Sequence, residues 1–233
     1  MRLTASRLIT ADNRAVGQSG TPVAIIDTIT SCTVTPPVRA KGGWGGARNR
    51  ADRVSQSLTG EQCRKLLAAA DKAERKGLRF NRTWTIHYQR AGISEQAAAA
   101  FIGYLLKRLA ELAKRSGGQF AAIWVRENGA GKGGHVHLLL HLPPGITLRG
   151  RIPKWIKLAG GRCIAGVSVV HSIGGRLSAA ESGGEHYDLN AGNARRYLLK
   201  AAPADVGRAL GLKRYGEAGF IVGKRCGRTQ NLS

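Results

Sequence analysis

Between residues 58 and 223 the chain switches repeatedly between the helical and the strand hydrophobic period. The spacing of Leu66, Leu67 and Ala70 predicts a helix that opens at Thr59 and stops at Gly77. At its start the Thr59 hydroxyl can cap while Gln62 returns the bond. From Phe80 to Tyr88, β-branched and aromatic residues alternate with polar ones, which is strand composition. Ser94 and Ala97, followed by Phe101, Leu105, Leu109 and Leu112, predict a long amphipathic helix to about Arg115, ended by Gly117 and Gly118. Two strands follow, Phe120 to Glu127 and Gly133 to His141. The second alternates imidazole and aliphatic side chains and then becomes continuously apolar, as a buried strand does. Their connector, Asn128 to Gly134, is nearly all turn chemistry, so the pair is a β-hairpin. Pro153 to Leu158 suggests a short helix, Cys163 to Ile173 a strand, and Gly174 to Asp188 a surface loop. Leu189 to Ala201 is helical and stops before Pro203, and Gly219 to Gly223 is a last strand. This order predicts an α+β fold with a central, mainly antiparallel sheet flanked by helices. No repeat of solenoid or propeller period occurs.

Residues 1–57 show no sustained period, and Ala24-Ile25-Ile26 is too short to anchor a domain. Pro36-Pro37 and the segment from Lys41 to Gly46 argue for a flexible, basic arm, read here as disordered, ahead of a folded domain at 58–233.

Charge changes the picture. The 37 Lys and Arg against 14 Asp and Glu leave a net +23, which implies a polyanionic partner, with nucleic acid favoured over membrane. The four cysteines include no C-x-x-C pair, so a zinc ribbon or a disulfide framework is not expected, and the thiols are read as reduced. No apolar run has the length of a membrane span. Asp12, Asn13 and Arg14 stand where a signal peptide would need its apolar core. A cytoplasmic protein is the expectation.

The hairpin carries the candidate chemistry. Alternate residues of a strand share a face, so His135 and His137 can converge on one ion. Folding the hairpin symmetrically about Gly131 sets Glu127 opposite His135 and diagonal to His137. Glu111 and Glu127 are the only carboxylates between Gln96 and Ala180, and Glu111 falls on the long helix. Two imidazoles and a carboxylate make a divalent-metal site with positions left open for substrate oxygens. His141 has the same parity but lies about 13 Å from His137 at strand rise, and it is read as structural. His87 can face the same side of the sheet. A metal beside a basic surface suggests phosphate chemistry, and Asn193 to Lys200 offers a nucleophile: Tyr197 and Lys200 share a helix face. Ionising a phenol of pKa near 10 at pH 7 costs about 4 kcal/mol, which a neighbouring ammonium offsets in part. Tyr104-Leu105-Leu106-Lys107 spells the same four residues inside the long amphipathic helix. That copy is read as packing, although nothing local separates the two. Candidate DNA contacts are Lys132 at the hairpin tip, Arg126, Arg195 and Arg196, and Lys224 and Arg225.

His135-Val136-His137 with its aliphatic continuation resembles the His-hydrophobe-His motif of HUH endonucleases. Tyr197-Leu198-Leu199-Lys200 resembles the Tyr-x-x-Lys motif of their single-tyrosine members, the rolling-circle replication initiators. Trp84 to Tyr88 occupies the place of that family's first motif, Glu127 that of an acidic residue completing the metal site, and the motif order is the same. The closing Gly223 to Leu232 is similar to the ends of bacterial proteins of this kind. The resemblance covers about 80–233. It implies a five-stranded antiparallel sheet of the HUH, RRM-like palm type and Mg²⁺ or Mn²⁺. The implied activity is site-specific nicking and rejoining of single-stranded DNA, or of a DNA hairpin at an origin-like site, leaving a 5′-phosphotyrosine and a free 3′-OH. Such enzymes serve rolling-circle replication or mobilisation of a plasmid, phage or integrated element. With no Walker phosphate loop in the chain, a host helicase and polymerase are the expected partners.

Two other classes compete. A histidine-triad nucleotide hydrolase needs a third histidine where Leu139 stands. A non-catalytic basic αβ module, or a degenerate nickase, would bind single strands through exposed sheet aromatics, and at 6% aromatic residues the chain has few to offer.

Overall fold

The computed structural model describes residues 52–233, so most of the arm reading lies outside the described residues. A two-residue strand, β1 (Val54–Ser55), precedes helix α1 (Gly60–Arg75). The helix opens on the reciprocal cap expected of Thr59 and Gln62, each side chain accepting from the other's backbone N–H. Strand β2 (Arg82–Ile86), helix α2 (Ala98–Arg115), and the hairpin strands β3 (Ala121–Gly129) and β4 (Gly133–His141) follow as the hydrophobic pattern predicts. Helix α3 (Arg151–Leu158) and strand β5 (Ser168–Ser172) complete the first half of the domain. Beyond them come α4 (Ala179–Ser182), α5 (Glu185–Leu198), α6 (Ala204–Ala209), β6 (Ile221–Val222) and β7 (Cys226–Arg228).

Five strands form one antiparallel sheet in the order β5-β2-β4-β3-β7, so the fold is α+β with helices flanking a central sheet. Strand parity sorts its two faces. Even-numbered positions of the hairpin, Ala122, Trp124, Val136, Leu138 and Leu140, pack with α2 and α3. The α2 stripe of Phe101, Leu105, Leu109 and Leu112 is buried there, each side chain contributing roughly 1.5–3 kcal/mol. Odd-numbered positions, Ala121, Ile123, Val125 and Leu139, pack with α1 and with Leu198 and Leu199 at the end of α5. Inside the first layer, buried Trp84 donates its indole N–H to Ser168 Oγ at 2.8 Å, tying β2 to β5.

The hairpin ladder runs from Ala121 opposite His141 to Gly129 opposite Gly133, with Glu127 paired to His135. Its turn needs glycine, because Gly131 and Gly133 adopt φ of 75° and 66°. Gly134 is needed for space: a Cβ there would lie 2.4 Å from the Tyr88 ring.

Several expectations are corrected. The segment 174–188 is not only loop, since α4 lies within it and α5 starts at Glu185. The strand expected at 219–223 shrinks to β6, which pairs with β1 outside the main sheet, and β7 takes the fifth position. The fold therefore begins a few residues before position 58, within the stretch read as arm. Arg126 and Arg225, expected at DNA, are buried. Arg126 forms an ion pair with Glu95 and donates to Val222 O at 2.9 Å and Lys224 O at 3.1 Å. Arg225 donates to Ser55 Oγ at 2.9 Å, to Gly219 O at 2.6 Å and to Ser55 O. The two guanidiniums clamp the short β1–β6 ribbon to β3, where the backbone alone offers few bonds. Among the described residues no helix is long and apolar enough to cross a membrane.

Arg126→Ala removes the ion pair to Glu95 and the bonds to the β6–β7 carbonyls and should lower unfolding stability by about 3 kcal/mol. Urea unfolding checks this. An unchanged transition midpoint would show that the clamp is dispensable.

Candidate metal centre

Three candidate ligands converge on the odd-numbered face, close to the turn of the hairpin. Glu127, His135 and His137 each present one atom, and these atoms lie within 4.8 Å of one another; all three residues are buried. Glu127 Oε2 is 3.4 Å from His135 Nε2 and 3.8 Å from His137 Nε2. The far side of each ring fixes its tautomer. His135 Nδ1 lies 2.8 Å from Gly133 O, which can only accept, so Nδ1 carries the proton. Lys200 Nζ lies 3.0 Å from His137 Nε2 and donates to it, leaving His137 Nδ1–H to donate to Thr85 Oγ1 at 2.9 Å. Both Nε2 lone pairs therefore point toward the carboxylate.

Three acceptors turned toward each other repel unless a cation stands among them. Part of that requirement is met by Lys200, whose ammonium also reaches Glu127 Oε2 at 3.0 Å. Glu127 Oε1 is buried and has no hydrogen-bond partner. That orphaned oxygen, the Nε2 lone pairs and the mixed nitrogen–oxygen donor set fit a metal ion, so the group can bind one. The outer hydrogen bonds from Nδ1 are the kind that orient metal-binding imidazoles. Protonation favours the same state. Burial, with the Lys200 charge beside it, pushes His137 down to about 3, so its imidazole is neutral at physiological pH. Burial alone would raise the Glu127 carboxyl, but positive charge beside it, the Lys200 ammonium at 3.0 Å above all, holds Glu127 below its ordinary value.

Tyr197 joins this group from α5. Its ring packs edge-on against His137 with centroids 5.0 Å apart, and Lys200 Nζ lies 3.8 Å from the Tyr197 centroid. Tyr197 is 45% exposed, so a strand can reach it. The α-helix ends at Leu198, and the turn beyond it tightens, with Leu199 N–H bonded to Arg196 O and Lys200 N–H to Tyr197 O. This turn brings the Lys200 ammonium to the ligands while Tyr197 stays on the last helical turn. The other copy is separated from this site by the sheet: Tyr104 lies on α2, packed against the even-numbered layer, with the Arg108 guanidinium 5.0 Å over its ring.

An open groove of about 860 Å³ spans the site, lined in part by His87, Gln89, Arg90, Lys132, His137 and Tyr197. Lys132 is exposed there at the hairpin tip. His87, whose role sequence left open, stacks on His135 at 5.0 Å and keeps a buried Nδ1 without a partner. Thr85, Gln89 and Arg90 were missed. Strand parity alone could have placed Thr85 beside His137, with which it pairs. Gln89 accepts from Gly134 N–H at 2.7 Å and so holds the hairpin base. Of the remaining basic candidates, Arg196 is exposed at the helix end, whereas Arg195 is engaged with Glu74 at 2.9 Å and Asp71 at 3.5 Å. Lys224 is exposed 5.5 Å from the Trp124 ring and does not line this groove. His141 is structural, bonded to Arg79 O at 2.8 Å.

Compared with models of known protein families, with curated proteins and with solved structures, the chain finds no match.

If Lys200 and a divalent ion compete for the same acceptors, Lys200→Met should tighten Mn²⁺ binding about tenfold in calorimetric titration, and Glu127→Gln should weaken it at least tenfold. Weaker binding by Lys200→Met would mean that the ammonium supports the ion and does not compete with it.

Proposed function

We propose that this protein is a metal-dependent endonuclease of the HUH type that nicks and rejoins single-stranded DNA through Tyr197. The supporting observation is the meeting of the buried Glu127–His135–His137 acceptors with the half-exposed ring of Tyr197 and the ammonium of Lys200, beside an open groove that His135, His137 and Tyr197 line. The five-stranded antiparallel sheet suits the RRM-like palm of such enzymes.

In this reading the Tyr197 oxygen gives up its proton and attacks the phosphorus of a phosphodiester. The new bond joins tyrosine to the 5′-phosphate, the bond to the 3′ oxygen breaks, and that oxygen leaves as a hydroxyl after taking up a proton. One ester replaces another, so the intermediate keeps the energy needed for rejoining, and the reverse attack by a 3′-OH restores the strand. A divalent ion, Mg²⁺ or Mn²⁺, held by Glu127, His135 and His137 supplies charge neutralisation at the phosphate and the leaving oxygen. Lys200, 3.8 Å from the Tyr197 ring centroid, places a positive charge beside the attacking side chain and the phosphate it would meet. Arg90 and Lys132 on the groove wall, with exposed Arg196, offer contacts to the strand's phosphates. The biological setting that fits is rolling-circle replication or mobilisation of a plasmid, phage or integrated element, with helicase and polymerase supplied by the host.

The test is incubation with Mn²⁺ and a labelled pool of random-sequence single strands and hairpins, scored for a covalent protein–DNA band on a denaturing gel. Tyr197→Phe should abolish the band and Tyr104→Phe should leave it. His137→Ala should reduce it at least 100-fold while binding of the strands persists. A band that survives Tyr197→Phe contradicts the assignment. Binding with no adduct from the unmodified chain would favour the non-catalytic single-strand-binding module.

A further inference from the structure

A second basic cavity lies away from the metal ligands. It has a volume of about 290 Å³ and is lined by Arg53, Gln62, Lys65, Lys224, Arg225 and Arg228, among others, with no Asp or Glu side chain on its wall. Cross-strand register places it. His137 pairs with Val125, and Val125 pairs with Cys226, which also lines the cavity. One strand spacing, about 5 Å, therefore separates this edge of the sheet from β3, which carries Glu127, and two, about 10 Å, separate it from β4, which carries both histidines.

The cavity's basic side chains outnumber its acidic groups, with the last residue, Ser233, also on the wall. Arg225 is only 2% exposed, yet its guanidinium hydrogen-bonds to neutral oxygens of Ser55, Gly219 and Arg126, and among the described residues it has no ion pair. Burial draws Arg225 down to about 10, with the Glu127 charge offsetting only part of that cost. Lys65 is paired with Glu61 at 2.5 Å, but Arg53 and Arg228 form no side-chain ion pair among the described residues. An anion in this cavity would meet two unpaired guanidiniums and the field of a third.

We propose that this cavity is a second nucleic-acid site, which takes a phosphodiester group of a bound strand apart from the one at Tyr197. Several guanidiniums around a small concave space suit a tetrahedral oxyanion, which accepts hydrogen bonds on every side. The charge of +23 makes a polynucleotide the natural source of that phosphate. The site holds the strand to the far edge of the sheet and so extends the footprint beyond the groove. It does not depend on the nicking chemistry, because it requires only binding.

The test compares the full chain with an Arg53→Ala/Arg228→Ala double variant. Both substitutions spare the backbone bonds that place these residues, from Gly223 N–H to Arg53 O and within the β7 ladder. Anisotropy titrations use fluorescent oligo(dT) of 10 and 30 nucleotides at several salt concentrations. Thermal melts with added inorganic phosphate report a free-anion site. The double variant should bind the 30-mer about tenfold more weakly, with a salt slope smaller by one to two, while the 10-mer is nearly unaffected. An unchanged 30-mer affinity and slope overturn the proposal. So does a phosphate-dependent rise in melting temperature that the variant loses without any loss of 30-mer affinity, since the cavity would then serve free phosphate. Arg228→Lys should restore part of the lost affinity, which a merely unfolded variant would not allow. If no covalent adduct ever forms but the 30-mer result holds, the nicking reading fails and this site stands.

Discussion

Three lone-pair donors forced to face one another in a buried space are the constraint around which this molecule is built. Glu127, His135 and His137 cannot relax apart, because Glu127 and His135 are opposed residues of one hairpin ladder and His137 is one pleat away. Nor can the imidazoles turn their protons inward, since Gly133 O and Thr85 Oγ1 hold those protons on the outer side. What remains is a demand for positive charge, met in part by Lys200 and unmet at Glu127 Oε1. A site in that condition can hold a metal ion, and its cost is carried by the apolar layers on both faces of the sheet.

The position of Lys200 links this demand to chemistry. The same ammonium touches two of the ligands and the face of Tyr197, so whatever satisfies the ligands changes the surroundings of the phenol. The α-helix ends at Leu198, and Lys200 follows on the turn beyond it. Tyr197, on the last helical turn, is kept rigid while Lys200 follows on a tighter turn.

Much of this was legible in the chain. The hairpin register followed from turn residues arranged symmetrically about Gly131, and register alone delivers the ligand group. The helix cap at Thr59 and the stripe of α2 were equally local signals. Other features were decided by distant partners. The two Tyr-Leu-Leu-Lys copies are indistinguishable until the sheet separates them, because the face a helix covers depends on the whole topology. Strand β7 has three residues in a basic, glycine-containing tail, too few to show a period. Arg126 and Arg225 looked solvent-facing since charge usually is. Glu95, 31 positions from Arg126, and the carbonyls around Arg225 reverse that, and no spacing rule reveals them.

The most direct test is anomalous diffraction from crystals of the protein grown with Mn²⁺. The account predicts one strong peak within coordination distance of Glu127, His135 Nε2 and His137 Nε2, with the Lys200 ammonium moved off Glu127 toward Tyr197. Density without such a peak at saturating Mn²⁺, with Lys200 still bridging Glu127 and His137, would contradict it.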